Sequence, residues 1–220
     1  MQVKEILTHL KSLHNPRNVA GMTQFGINPR NTLGVSIPTL RKIARQAGKD
    51  HRLAQELWAS GIHEARILAA MVDDPDQVTE VQMERWVKDF DSWDVCDQVC
   101  SNLFDKTEYA HRKAIEWSRR DEEFVKRAGF VLMAALAVHD KSASDAAFKK
   151  FLPLIQRGAT DDRNFVKKAV NWALRQIGKR NRALNRAASA TAREIQQIDS
   201  RAARWVAADA LRELRRKDEG

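Results

Sequence analysis

The sequence predicts an all-α fold, arranged as a solenoid of paired helices, on three observations. Apolar residues recur at spacings of three and four along nearly the whole 220 residues. Strand signals are almost absent: β-branched runs are short and there are only 9 glycines. Several helical segments can also be overlaid at a separation of one helical pair, the mark of a repeat array.

The elements follow in order. A first helix covers 3–13 and stops at Asn15-Pro16, since the residue before proline disfavours helix. A Gly/Asn/Pro-rich stretch over 21–38 is the one long irregular segment, and loops of that length carry function or disorder. It ends with Ser36 placed to cap a helix holding Pro38 in its first turn. Phe25 within it is either a plug against the first helices or an exposed stacking surface. Helices then alternate with short polar turns over 39–47, 51–59, 62–72, 79–88, 92–104, 107–118, 122–138, 143–157, 164–177, 184–197 and 201–215. Thr79 and Gln82 have the spacing of a capping box.

The repeat places Ala65, Asp97, Ala128, Ala169 and Ala202 in one column, at separations of 32, 31, 41 and 33 residues. Two helices per unit at this spacing read as a HEAT-like α-solenoid whose second helices line a curved, concave face. The rows around Ala128 and Ala169 (VKRA and VKKA) match closely, whereas the Asp97 row rests on spacing and admits a slip of one residue, a rotation of about 100°. The domain reading is a single domain over 1–220, with N-terminal helices and loop to about residue 60 and the repeats over 61–220.

The formal charge is +9, which favours a polyanionic partner. Residues 160–220 hold 15 Lys plus Arg against 8 Asp plus Glu, a net of +7, leaving +2 for the rest. A solvated set of helix faces would account for the same charge. No apolar run reaches the roughly 18 residues of a membrane span, and the N-terminus is amphipathic, so a cytoplasmic protein is expected. Cys96 and Cys100 offer neither a disulfide framework nor a zinc spacing. Phosphate-loop, GxSxG and HExxH motifs are absent, so kinase, serine-hydrolase and metalloprotease readings have no support.

In the repeat frame, at about 100° per residue, Asp97 lies near 0°, Trp93 near −40°, Trp172 near −60° and Arg127 near −100°. Lys168 and Arg201 repeat the phase of Arg127, and Arg175 falls beside it. One face would then present two tryptophans, a carboxylate and a basic stripe, with Trp58, Trp86 and Trp117 left to the core. Cations neutralise phosphates while indoles offer flat faces to bases, so this pattern fits a nucleic-acid groove. Asp97 reads either as structure, bonded to backbone or a neighbouring repeat, or as chemistry. A phosphate-binding groove repels a carboxylate, so one belongs there only where positive charge develops. Cleavage of an N-glycosidic bond develops such charge on the sugar.

These residues are similar to the AlkD-like family of HEAT-like-repeat DNA glycosylases, the DNA alkylation repair family. The resemblance rests on LGVSIPTLRKIAR, SWDVCDQV, FVKRAGFVLM and FVKKAVNWALRQ, in that order along nearly the whole chain. It implies that Asp97 is the catalytic aspartate, that Trp93 and Trp172 flank the lesion, and that Arg127 grips the backbone near it. Lys168, Arg175, Arg201 and Phe25 are expected to add DNA contacts. The implied activity is excision of cationic N3- or N7-alkylpurines from double-stranded DNA by a monomer, without metal, cofactor or base flipping. Where members place two adjacent tryptophans this chain has Ser92-Trp93, and Phe25 stands where a DNA-contacting tyrosine is found. Relatives sharing the fold bind DNA structures without catalysis, which makes a non-catalytic binder of distorted or branched DNA the second expectation. A protein-binding scaffold is the third.

Overall fold

The computed structural model describes residues 1–215; the last five residues, part of the basic C-terminal third counted above, lie outside them. Every regular element among the described residues is helical, as expected. The chain divides into two compact units, Met1–Thr107 and Glu108–Gly220.

The first unit contains α1 (Val3–Ser12), α2 (Pro16–Gln24), α3 (Ile37–Ala47), α4 (His51–Ala59), α5 (His63–Val72), α6 (Glu80–Lys88) and α7 (Trp93–Asn102). Helix α2 was not expected. Asn15-Pro16 does end α1, but it also starts a helix: the Asn15 carboxamide accepts the N–H groups of Arg17 and Asn18, and Pro16 occupies the first turn, where its missing N–H costs nothing. Gly26, at φ +77°, terminates α2, with Gly26 N–H returning to the Thr23 carbonyl and Ile27 N–H to that of Met22. This is a Schellman closure. The irregular stretch shrinks to 25–36.

That loop is held by a buried carboxylate. Glu64 on α5 is 1% exposed and accepts the backbone N–H groups of Leu33, Gly34 and Val35 at 2.6–3.2 Å. Gly34 must be glycine: its φ is +75°, and a Cβ there would lie 2.5 Å from the Asn15 carbonyl oxygen. The unit's core is aromatic, with Trp58 of α4 stacked on Trp86 of α6 at 4.0 Å and 2°. Phe90 and Phe104 pack about them. The expected capping box on α6 is half formed. Thr79 accepts the Gln82 N–H, but the Gln82 amide donates instead to Asp73.

The second unit holds α8 (Ala110–Trp117), α9 (Glu123–His139), α10 (Asp145–Lys149), α11 (Leu152–Gly158), α12 (Asn164–Gly178), α13 (Arg182–Gln196) and α14 (Arg201–Arg215). Helices α9, α12 and α14 pack side by side in one layer, while α10, α11 and α13 form the other. The helix expected over 143–157 is two helices, because the Pro153 ring would meet the Lys149 carbonyl in a continuous one. The inserted α10 accounts for the long 41-residue separation in the repeat. Gly129 lets α9 approach α8: a Cβ there would lie 2.3 Å from the Ser118 nitrogen. Buried Asn171 and Asn185 donate to the Val206 and Leu214 carbonyls, fixing α14.

Trp58, Trp86 and Trp117 are buried, as expected. The column residues Ala65, Ala128, Ala169 and Ala202 are buried too, so the column marks helix packing rather than an open face. Asp97 is not buried and does not belong to it. Moving the α7 row by one residue places Asp97 in the register of Lys168 and Arg201, both exposed, and aligns the buried residues Val95 and Val99 with Val166 and Val170. The correction is the rotation of about 100° that the spacing left open.

Candidate nucleic-acid interface

In the first unit, α7 carries Trp93 and Asp97 one turn apart on a half-buried face, with Cys96 and Cys100 sealed behind them and not joined in a disulfide. The Cys100 thiol is pushed well up by burial, by its hydrogen bond to Cys96 and by the charge of Asp97. The start of α7 is built from the 25–36 loop. Asn28 N–H donates to the Ser92 hydroxyl at 2.8 Å, the Asn28 amide donates to Asp91 at 2.9 Å, and the Trp93 indole N–H donates to the Phe25 carbonyl at 3.0 Å. Ser92 is fully buried and spends its hydroxyl on the loop rather than on capping its own helix. A second tryptophan at 92 has no room.

Phe25 is 72% exposed, so the plug reading fails and its ring is an open apolar surface. Beside Trp93, Asp94 meets His63 of α5 at 2.8 Å. Burial pulls the His63 pKa down, but the hydrogen bond and charge of Asp94, with Glu64 and Asp91, raise it overall.

In the second unit, α12 presents Lys168, Trp172 and Arg175 on one face, spaced four and three apart. Lys168 is exposed and Trp172 half-buried. Arg175 is ion-paired to Asp209 at 3.6 Å and to Glu213 of α14. Lys179 shares Glu213, and these cations hold the Glu213 carboxyl below its usual range despite burial. Arg201 is exposed at the start of α14. Arg127 differs from the expected stripe: it is 5% exposed, and its guanidinium donates to the Phe165 carbonyl. Helix α9 is buried along most of its length, so even its polar position is covered by the N-terminus of α12.

The basic stripe of sequence reasoning therefore divides. Lys168 and Arg201 are open, Arg175 is neutralised by α14, and Arg127 faces inward. Asp97 and Trp93 belong to the first unit; Arg127, Trp172 and the other cations belong to the second. Sequence reasoning passed over Trp205, which is 41% exposed on α14 with the Lys167 ammonium 5.1 Å from its ring centroid. The signal was available: Trp205 follows Ala202 by three residues, as Trp172 follows Ala169. Among the described residues, no helix is long and apolar enough to cross a membrane, and no group of three His, Cys, Asp or Glu side chains could hold a metal.

The family described as DNA alkylation repair enzyme matches residues 6–214. An uncharacterised protein of Listeria innocua, Lin0241, is 27% identical over 127 residues, which is 56% of this chain and 57% of that relative. A solved structure superposes with a TM-score of 0.82 at 20% identity, covering 99% of this chain and 95% of the other. It is described as a new family of proteins related to the HEAT-like repeat DNA glycosylases with affinity for branched DNA structures. At that identity the likeness establishes the shared fold.

Proposed function

From a chain that belongs to the DNA alkylation repair enzyme family, we propose a monofunctional DNA glycosylase that removes cationic N3- or N7-alkylated purines from duplex DNA. The observation that carries the reading is Asp97, a carboxylate on a half-buried helical face one turn from an indole, in a chain whose family is described as DNA alkylation repair enzyme. A surface that draws in phosphates repels such a group unless it meets developing positive charge. In this reading Asp97 stabilises the oxocarbenium-like sugar as the C1′–N bond breaks, and the bonding pair leaves with the purine and cancels its charge. Water adds to C1′ and releases a proton. The lesion's own charge makes it a good leaving group, so no general acid is required. Trp93 holds the cationic base by cation–π contact, and Phe25, exposed beside it, offers a second apolar face to DNA.

Lys168 and Arg201, exposed on the second unit, engage the DNA backbone, and Trp172 offers DNA an indole face on the same side of α12 as Lys168, whereas Arg175 is spent on α14. Arg127 supports that surface from beneath by holding the first turn of α12. The alkylated duplex is the substrate, and no step uses a metal or cofactor. A second reading, a non-catalytic binder of branched DNA, is favoured by the inward placement of Arg127 and by the description of the structural neighbour.

A base-release assay on methylated duplex DNA separates the two. The wild type is expected to free 7-methylguanine or 3-methyladenine, and Asp97→Asn to lose release by at least about a hundredfold while keeping DNA affinity, the size of effect seen on removing one stabilising group. Equal release by Asp97→Asn would refute the role of Asp97. Tight binding of a four-way junction by the wild type with no base release would select the second reading.

A further inference from the structure

We propose that Trp205, with Lys167 and Arg201, forms a stacking site for an unpaired nucleotide; the inference rests on the DNA-binding reading above. Helix α14 buries Ala202, Ala203, Val206, Ala207, Ala210, Leu211 and Leu214, a continuous apolar face complete without Trp205. The indole is instead turned outward and is 41% exposed, one of the largest apolar side chains left open in the chain. One exposed apolar ring is ordinary by itself; the cations gathered about this one give its face a use.

The surroundings identify the ligand. Lys167 reaches across from α12 to within 5.1 Å of the ring centroid, and Arg201 lies one turn before Trp205 on the same face of α14, exposed. Lys168, also exposed, takes on α12 the register that Arg201 takes on α14. The nearby acids are occupied, Asp209 by Arg175 and Arg212, and Asp199 by Arg204. A flat π surface rimmed by cations that have no acidic partner among the described residues suits a group that is aromatic and anionic at once. A nucleotide is such a group: its base stacks on the indole while its phosphate meets Arg201 or Lys167. Bases within a duplex have both faces covered by their neighbours. The occupant is therefore an unpaired nucleotide, supplied by a branch point, a flap or a gap.

The test compares two fluorescent probes of the same sequence by anisotropy at fixed salt. One is a blunt-ended, fully paired duplex, and the other is a fork with a single-stranded arm. Trp205→Ala is expected to weaken fork binding about tenfold, the range for losing one stacked base, and to change duplex binding less than about twofold. Trp205→Phe keeps a π face and is expected to recover most of the fork affinity. An equal loss on both probes, or no loss on either, would overturn the stacking site while leaving DNA binding intact. Failure of the wild type to bind either probe would overturn both readings. Thermal melting of the two variants shows whether an affinity change reflects folding, and the exposed position predicts melting within a degree or two of the wild type.

Discussion

Replacing Glu64 tests how the long loop is held in place. Its carboxylate accepts three backbone N–H groups, with Leu33 shared between both oxygens and Gly34 and Val35 on one, in a site where the side chain is 1% exposed. Hydrogen bonds to a charged acceptor contribute about 1.5 kcal/mol each or more, so three give about 4 to 5 kcal/mol. Partial rehydration of the freed amides reduces this, and Glu64→Ala is expected to cost about 4 kcal/mol. Glu64→Gln keeps one oxygen for Gly34 and Val35 but turns an NH2 toward the Leu33 N–H, and is expected to cost about 2 kcal/mol. Against a total of about 5 to 15 kcal/mol either is a large loss. Urea unfolding measures the cost, and hydrogen exchange at residues 33–35 locates it. An Ala variant within about 0.5 kcal/mol of the wild type, with those amides still protected, would refute the reasoning. The change also reaches the candidate site, because the same loop carries the Phe25 carbonyl that orients Trp93 and the Asn28 N–H that engages Ser92.

Two further outcomes are expected. Arg127→Met should lower stability by about 2 kcal/mol, since the Phe165 carbonyl loses its charged donor inside the protein. The salt slope of DNA binding should stay unchanged in this variant; a slope reduced by about one unit would make Arg127 a direct phosphate contact instead. For the His63–Asp94 pair the sign follows from a histidine whose pKa is raised on folding, so its contribution is complete below about pH 6.5 and fades as pH rises through the raised value. Unfolding free energy should therefore decline with rising pH above about 6.5 in the wild type and decline less in Asp94→Asn, by denaturant titration at a series of pH values; identical slopes would remove the pair from the account.

Much of the architecture was legible because helical periodicity is a local property. The spacing of Leu53, Leu57 and Trp58, or of Val166, Ala169, Val170 and Ala173, states which face is buried without reference to a partner. Helix α2 escaped because Asn15-Pro16 reads equally as a stop and a start, and no strong apolar stripe follows: none of its residues is buried. The break at Pro153 was legible and overlooked. The candidate site was legible by residue type and less so by exposure. Asp97, Trp93, Trp172 and Lys168 sit on open or half-open helical faces, whereas Arg127 shares the sequence phase of Lys168 and is buried.

By itself the sequence determined the helices, their pairing into repeats, the concentration of positive charge in the last third and the family to which the chain belongs. All of these depend on residue type and spacing along the chain. Tertiary structure decided which cations are open, which are spent and what holds the loop. Arg127 and Lys168 differ in what packs over them, Arg175 in having Glu213 opposite it, and Trp205 in standing exposed with Lys167 above its ring. Glu64 carries no local mark of its role, because the three amides it binds lie 29 to 31 residues away and come together only when the chain folds. Exposure and ion pairing are set by neighbours distant in sequence, and a helical period reports only a residue's direction from its own axis.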